Sequence, residues 1–200
     1  MVNKINFMDK DYEEQLQNLV ISRHEIDEEI DYSVCSILNS VRKNGDEAIL
    51  SYTKEFDRLE LSNSFDLRIE QEEIEKAISS CPNEIVAALT HAKMRIETYH
   101  KKQLPEDYDY VDEEGVNLGS RWTSMSSVGV YVPGGRASYP SSVLMNVVPA
   151  RVAGVERVVM VVPAPDGHLN SSVLAAASIS GVDEIYRMGG AQAIGALAYG

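Results

Sequence analysis

Two glycine pairs, Gly134-Gly135 and Gly189-Gly190, carry most of the chemical information in this chain. Each follows a short apolar run and precedes a stretch that reads as a helix. The first copy is Val128-Gly-Val-Tyr-Val-Pro-Gly-Gly-Arg-Ala-Ser-Tyr-Pro-Ser-Ser-Val-Leu-Met145; the second is Asp183-Glu-Ile-Tyr-Arg-Met-Gly-Gly-Ala-Gln-Ala-Ile-Gly-Ala-Leu-Ala198. Paired glycines let the backbone come close to a ligand, and the N-terminus of the next helix offers it unpaired N–H groups. One such pair alone reads as a turn; repetition of the whole layout favours a ligand. In the first copy Ser141 or Ser142 is placed to cap a helix through Val143, Leu144, Val147 and Val148.

These units bind rather than react, and no residue type with the spacing of a reactive centre accompanies them. His24, His91, His100 and His168 form no HxxxH pair and no His/Cys cluster. His91 and His100 fall on one predicted helix, roughly 180° apart around it at about 3.6 residues per turn, so they cannot share a metal. Structural or solvent-facing roles are expected for all four. Cys35 and Cys81 lack CxxC spacing and read as small hydrophobes in a reducing compartment.

The elements that must hold the glycine turns are legible around them. Strands are predicted over 127–132, 157–162 and from Asp183 to the second glycine pair, with helices over 142–153, 170–179 and after Gly190. Pro163-Ala-Pro-Asp-Gly167 is a turn after the middle strand, and Pro149 is a potential kink in the helix before it. Alternating strands and helices at these spacings imply three parallel strands joined by right-handed crossovers. Ligands of such sheets lie beyond the carboxyl ends of the strands, and both glycine pairs fall there, on one rim.

Upstream, helices are predicted from Tyr12 to about Ser22, from Glu25 to about Asn44, from Asp46 to Phe56, over 70–80 and over 83–102. Ile26, Ile30, Val34, Ile37, Leu38 and Val41 make one apolar stripe ending at Gly45, and Asp46 is a candidate cap. Leu67 to Ile69 is a candidate short strand, and 104–125, with its Asp112-Glu-Glu-Gly115 turn, a hairpin. The resulting division is a helical arm (1–24), a mostly helical portion with a hairpin (25–126) and a partial Rossmann-like α/β unit (127–200). The arm's apolar residues either pack on their own chain or on a second copy.

The formal charge of −13 is unevenly spread. From Arg121 onward five basic residues face four acidic ones, so the first 120 residues carry −14. Without a Lys/Arg stripe, neither nucleic acid nor an anionic membrane is expected as partner. At 200 residues and 44% hydrophobic content the chain can bury a sizeable core. No apolar run reaches membrane-spanning length and the first residues lack a signal-peptide core, so a cytoplasmic protein is the expectation.

The segments GVYVPGGRASYPSSVLMNVVPARVAGV and MGGAQAIGALAYG, with VRKNGDEAILSYTKEFD and HAKMRIETYHKKQLP upstream, resemble histidinol dehydrogenase. The resemblance runs from about Val41 through several separated blocks in order, which is far more specific than one glycine motif. It implies an NAD-dependent zinc enzyme, a homodimer, that oxidises L-histidinol through the aldehyde to L-histidine at the end of histidine biosynthesis. Tyr131 and Gln192 match the family's NAD-contacting Tyr and Gln, beside Gly134 and Gly135, and Ser141 matches a serine near the substrate pocket. Plainer roles exist for each: a half-buried strand aromatic, an early-turn amide, an N-cap. The family's third NAD contact, in a GPGN segment, its zinc ligands and its catalytic Glu-His pair match nothing here and are expected beyond Gly200. The chain is therefore expected to be the N-terminal part of such an enzyme, as a piece, a processed fragment or the product of a split or truncated gene, and inactive alone. A nonenzymatic nucleotide- or partner-binding member of the same family is the alternative, and an unrelated α/β ligand-binding domain a third reading. Neither glycine turn has GxGxxG spacing, so NAD would be held atypically on an incomplete Rossmann-like fold.

Overall fold

The computed structural model describes residues 4–24, 28–134 and 139–200. Helices α1 (Tyr12–His24), α2 (Glu28–Asn44), α3 (Asp46–Asp57), α4 (Gln71–Ser80) and α5 (Asn83–Lys101) precede an antiparallel hairpin, β1 (Tyr108–Val111) and β2 (Asn117–Ser120). The remainder alternates: β3 (Ser127–Tyr131), α6 (Pro140–Val152), β4 (Arg157–Val162), α7 (Ser171–Ser180), β5 (Glu184–Arg187) and α8 (Gly190–Tyr199). Strands β3, β4 and β5 lie side by side in that order, and both pairs are parallel. The α/β expectation holds: a helical region is followed by a partial Rossmann-like parallel sheet with flanking helices.

Alternation along the strands sorts residues onto two faces. Val130, Val158, Met160, Val162 and Ile185 join Val143, Leu144, Val147 and Val148 of α6 and Val173, Leu174 and Ala177 of α7 in one core, with α4 and α5 outside. Val161, Tyr131 and Tyr186 face the other way, onto Val41 of α2, Ala48 and Ile49 of α3 and Ala193 of α8. Val173 to Ala177 of α7 are all buried, while Ser178 is exposed. Gly195 lets α8 lie against α2, because a Cβ there would meet Leu38 and Val41 at 3.2–3.4 Å.

The sheet's two edges differ. The segment after a 3₁₀ turn at Ser64–Leu67 closes the β5 side: Arg68 bridges Tyr186 antiparallel, and the Ile69 N–H donates to the Ile185 carbonyl at 2.8 Å. The expected strand at Leu67 to Ile69 is thus a turn and a single bridge. Among the described residues no strand pairs with the outer edge of β3.

Several local expectations are corrected. Tyr139 is the N-cap residue of α6 with Pro140 first in the helix, so neither Ser141 nor Ser142 caps it. Proline fits there because its missing N–H would be unpaired anyway. Pro149 lies inside α6 without ending it. Gly45, at φ 56°, is the N-cap of α3, and Asp46 follows as a first-turn acid that favours the helix dipole. Cys81 is buried as expected, but Cys35 is exposed. The reason is that the α2 stripe is used only near its end: Val41 is buried while Ile30 and Val34 are exposed. Ile26 lies outside the described residues. Leu16, Leu19, Val20 and Ile21 of α1 are likewise exposed within this chain.

Candidate functional site

The carboxyl ends of the three strands form one rim, and both glycine turns reach it. Tyr131 pairs with Val161 in the ladder, and Val162 with Arg187. Pro163 therefore sits between the two turns. A Cβ on Gly134 would lie 3.0 Å from the Pro163 Cβ and carbonyl oxygen; one on Gly189 would lie 2.7 Å from its Cβ and closer still to Cγ. Gly189 has an extended backbone (φ −131°), so what excludes a side chain is the proline ring rather than backbone conformation. The close approach that glycine permits at these two positions is to Pro163.

Gly190 differs. Its φ is +65°, and a Cβ there would collide with Oε1 of Gln192 and lie 3.1 Å from its Cδ. The absence of a side chain lets the Gln192 amide seat directly against the Gly190 backbone, in a small cradle closed to solvent. The Gly190 N–H, at the start of α8, donates to the Tyr131 hydroxyl at 3.2 Å. Gln192 is 1% exposed, yet its Oε1 has no hydrogen-bond partner. Burying an unmatched amide oxygen costs about 1–3 kcal/mol, so an orphan of this kind marks a position awaiting a donor.

Tyr131, Gly190 and Gln192 are thus brought together, with Gly134 one strand away across Pro163. Gly135 lies outside the described residues. Ser141 is exposed in the first turn of α6 and takes no part in the Tyr131–Gly190 contact. The arrangement offers a buried acceptor, a hydroxyl that still has its proton to donate, and a helix N-terminus that favours negative charge. It has no nucleophile and no base. Among the described residues no group of three His, Cys, Asp or Glu could hold a metal ion.

A cleft of ≈ 720 Å³ lies elsewhere, toward the amino ends of the strands, lined among others by Arg68, Ser127, Gly129, Arg157, Tyr186 and Leu197. On its wall Arg157 donates to Glu184 at 2.7 Å and Tyr186 to the same carboxylate at 2.8 Å. Those bonds hold the Glu184 carboxyl below its ordinary pKa, while burial pushes the Tyr186 hydroxyl up. None of the orphaned buried atoms lines it.

Sequence reading missed the support behind the rim. Asp57, at the end of α3, is buried, with its carboxyl beside the Ala164 N–H just after Pro163. Its Oδ2 is unpartnered, as is Oγ1 of the fully buried Thr53. Burial, outweighing the Ala164 hydrogen bond and the Arg58 charge, pushes the Asp57 carboxyl above its ordinary pKa. An acid whose pKa rises on folding favours the fold while protonated and loses that contribution as pH rises through the folded value. Asp57→Asn keeps an acceptor for Ala164 and removes the charge. It is expected to be more stable than the parent at pH 7, with the gap closing as pH falls through the folded value toward about 4. Urea titrations at both pH values check this; a variant less stable at pH 7 would contradict the burial account.

Comparison with known proteins follows the same residues. The family model described as histidinol dehydrogenase matches residues 21–200. Histidinol dehydrogenase of Brucella abortus (strain 2308) is 52% identical over all 200 residues, which cover 46% of that relative. The Gluconobacter oxydans (strain 621H) enzyme is 52% identical over 189 residues, 94% of this chain and 44% of the relative. A crystal structure of histidinol dehydrogenase from Elizabethkingia anophelis superposes with a TM-score of 0.80 at 32% identity, over 86% of this chain and 39% of that one. The chain spans about half the length of the curated relatives it matches. On the match of 180 contiguous residues and on identity at this level, the chain belongs to the histidinol dehydrogenase family.

Proposed function

We propose that this chain supplies the NAD-facing wall of an enzyme that oxidises L-histidinol to L-histidine. The observation that carries the reading is the orphaned Gln192 Oε1 beneath the Gly190 cradle, beside the Tyr131 hydroxyl. A dinucleotide suits these groups: its hydroxyl or amide protons can satisfy a buried acceptor, and its phosphates suit a helix N-terminus. Bound there, NAD would supply the hydride acceptor. Tyr131 and Gln192 would orient it, while Gly134 and Gly190 let Pro163 and Gln192 pack closely beneath it. The activity, with its substrate, comes from the family, whose relatives carry that name.

Zinc does not fit the described residues, and no proton-transfer step is assigned to them. The chain alone is expected to show no histidinol oxidation with NAD and added zinc. Turnover abolished by a chelator would overturn that expectation. Exposed apolar residues on α1 support a second copy as partner, and two unpaired cysteines accord with the cytoplasm.

A partial site forms fewer contacts for the same association entropy, so NAD binding should be weak. Gln192→Ala removes one hydrogen bond and should weaken it about 5-fold further. Calorimetric titration of both proteins decides: tight binding indifferent to the substitution would place the cofactor elsewhere. Nucleotide binding without a place in any histidinol-oxidising assembly would favour the nonenzymatic member.

A further inference from the structure

We propose that Asp57 and Arg58 are positioning residues for the glycine rim, acting through the loop 163–167; their bearing on a cofactor rests on the nucleotide reading above. Helix α3 ends at Asp57, whose buried carboxyl lies beside the Ala164 N–H. The next residue, Arg58, grips the Asp166 carboxylate through two hydrogen bonds, Nε to Oδ1 at 2.8 Å and Nη2 to Oδ2 at 2.6 Å. Two consecutive residues of one helix end therefore hold two alternate residues of one loop. At the loop's start, Pro163 stands against both Gly134 and Gly189. Gly189 leads into Gly190 and Gln192, so a displacement of the loop passes directly to the cradle.

The backbone argues that this hold is geometric rather than stabilising. Among the described residues Arg58 and Asp166 are the non-glycine residues at positive φ, both at 54°, and they bind each other. A left-handed backbone is unfavourable for a residue with a Cβ. The ion pair is 63% and 54% exposed, and pairs so placed contribute little to stability. Two strained residues are not offset by one exposed pair, so what the contact secures is where the loop sits. The hydrogen bonds between them, with the opposite charges, accordingly hold Asp166 below and Arg58 above its ordinary pKa.

The test is a charge exchange in the 200-residue chain. Because both positions have the same φ, Arg58→Asp with Asp166→Arg sets each side chain on a backbone that already carries it. Amide NMR signals of Gly134, Gly189 and Gly190, NAD affinity and Tm are measured for the two single variants and the double. Each single variant should move the glycine signals and weaken NAD about 5-fold, with Tm falling by no more than about 4 °C. The double variant should restore signals and affinity. Asp57→Ala should move the same signals, and Asp57→Asn, which keeps an acceptor, should leave them in place. Glycine signals unchanged in both single variants and in Asp57→Ala would overturn the proposal. If the signals move and the exchange restores them but the parent binds no NAD, the rim is positioned as argued and the nucleotide reading is the one that fails.

Discussion

One methyl group at position 189 is expected to destabilise the protein by about 3 kcal/mol, because Gly189→Ala drives a Cβ to within 2.7 Å of the Pro163 Cβ and 3.2 Å of its Cα. A flexible side chain could swing aside; a proline ring cannot, and its Cα moves only with the backbone of β4. The cost should be specific to the pair. Gly189→Ala combined with Pro163→Gly should be at least about 1 kcal/mol more stable than the sum of the two changes predicts. Urea denaturation of the parent, both single variants and the double supplies the cycle. Additive losses would mean that Gly189 is needed for something other than room beside Pro163.

A loss of similar size, about 3 kcal/mol, is expected for Arg151→Ala at the opposite end of the sheet. From the last turn of α6 this guanidinium donates to the carbonyls of Val155 at 2.9 Å, Glu156 at 2.8 Å and Gly181 from Nε at 3.0 Å. Nη2 also reaches Gly181 and the Asp183 carboxylate. Asp183 in turn accepts the Val158 N–H at 2.6 Å. One side chain thereby joins the turn entering β4 to the turn entering β5. Its removal leaves several carbonyls and a carboxylate to find new partners. For a chain of this length Tm should fall by roughly 6–12 °C. Arg151→Lys should recover less than half, since an ammonium cannot serve acceptors arrayed around a planar fork. Recovery in full by lysine would show that charge alone matters at this position.

Elements governed by local pattern could be read from sequence, and those set by distant contacts could not. The strands at 127–131 and 157–162 announce themselves by β-branched runs, and the Asp112 turn by its own chemistry: its carboxylate accepts the N–H groups of Glu114 and Val116. Both glycine turns sit on one rim because parallel strands joined by helices put them there. The role of Gly134 and Gly189 was hidden, because their shared neighbour Pro163 is more than twenty residues from either and read only as part of a turn. The Gln192 cradle was half visible: the residue could be named from the resemblance, but its burial and its unmatched oxygen depend on the αL backbone at Gly190. At α6 a usable signal was present, since Pro140 at a first helical position moves the cap back to Tyr139. Asp57 and Arg58 gave no signal, because an Asp-Arg pair closing a helix resembles ordinary surface charge until its partners at 164 and 166 fold against it.

The unequal edges of the sheet give it a direction of growth. On the β5 side the Arg68 bridge ends the hydrogen-bond ladder, so nothing can be added there without first removing part of the molecule. On the β3 side the ladder stops, among the described residues, at Ser127-Val-Gly-Val-Tyr131, a stretch with no charge and no proline to repel a newcomer. Natural sheets seldom leave such a template unguarded. Assembly and misassembly therefore share one doorway: a strand that lengthens this sheet, correct or stray, adds along β3.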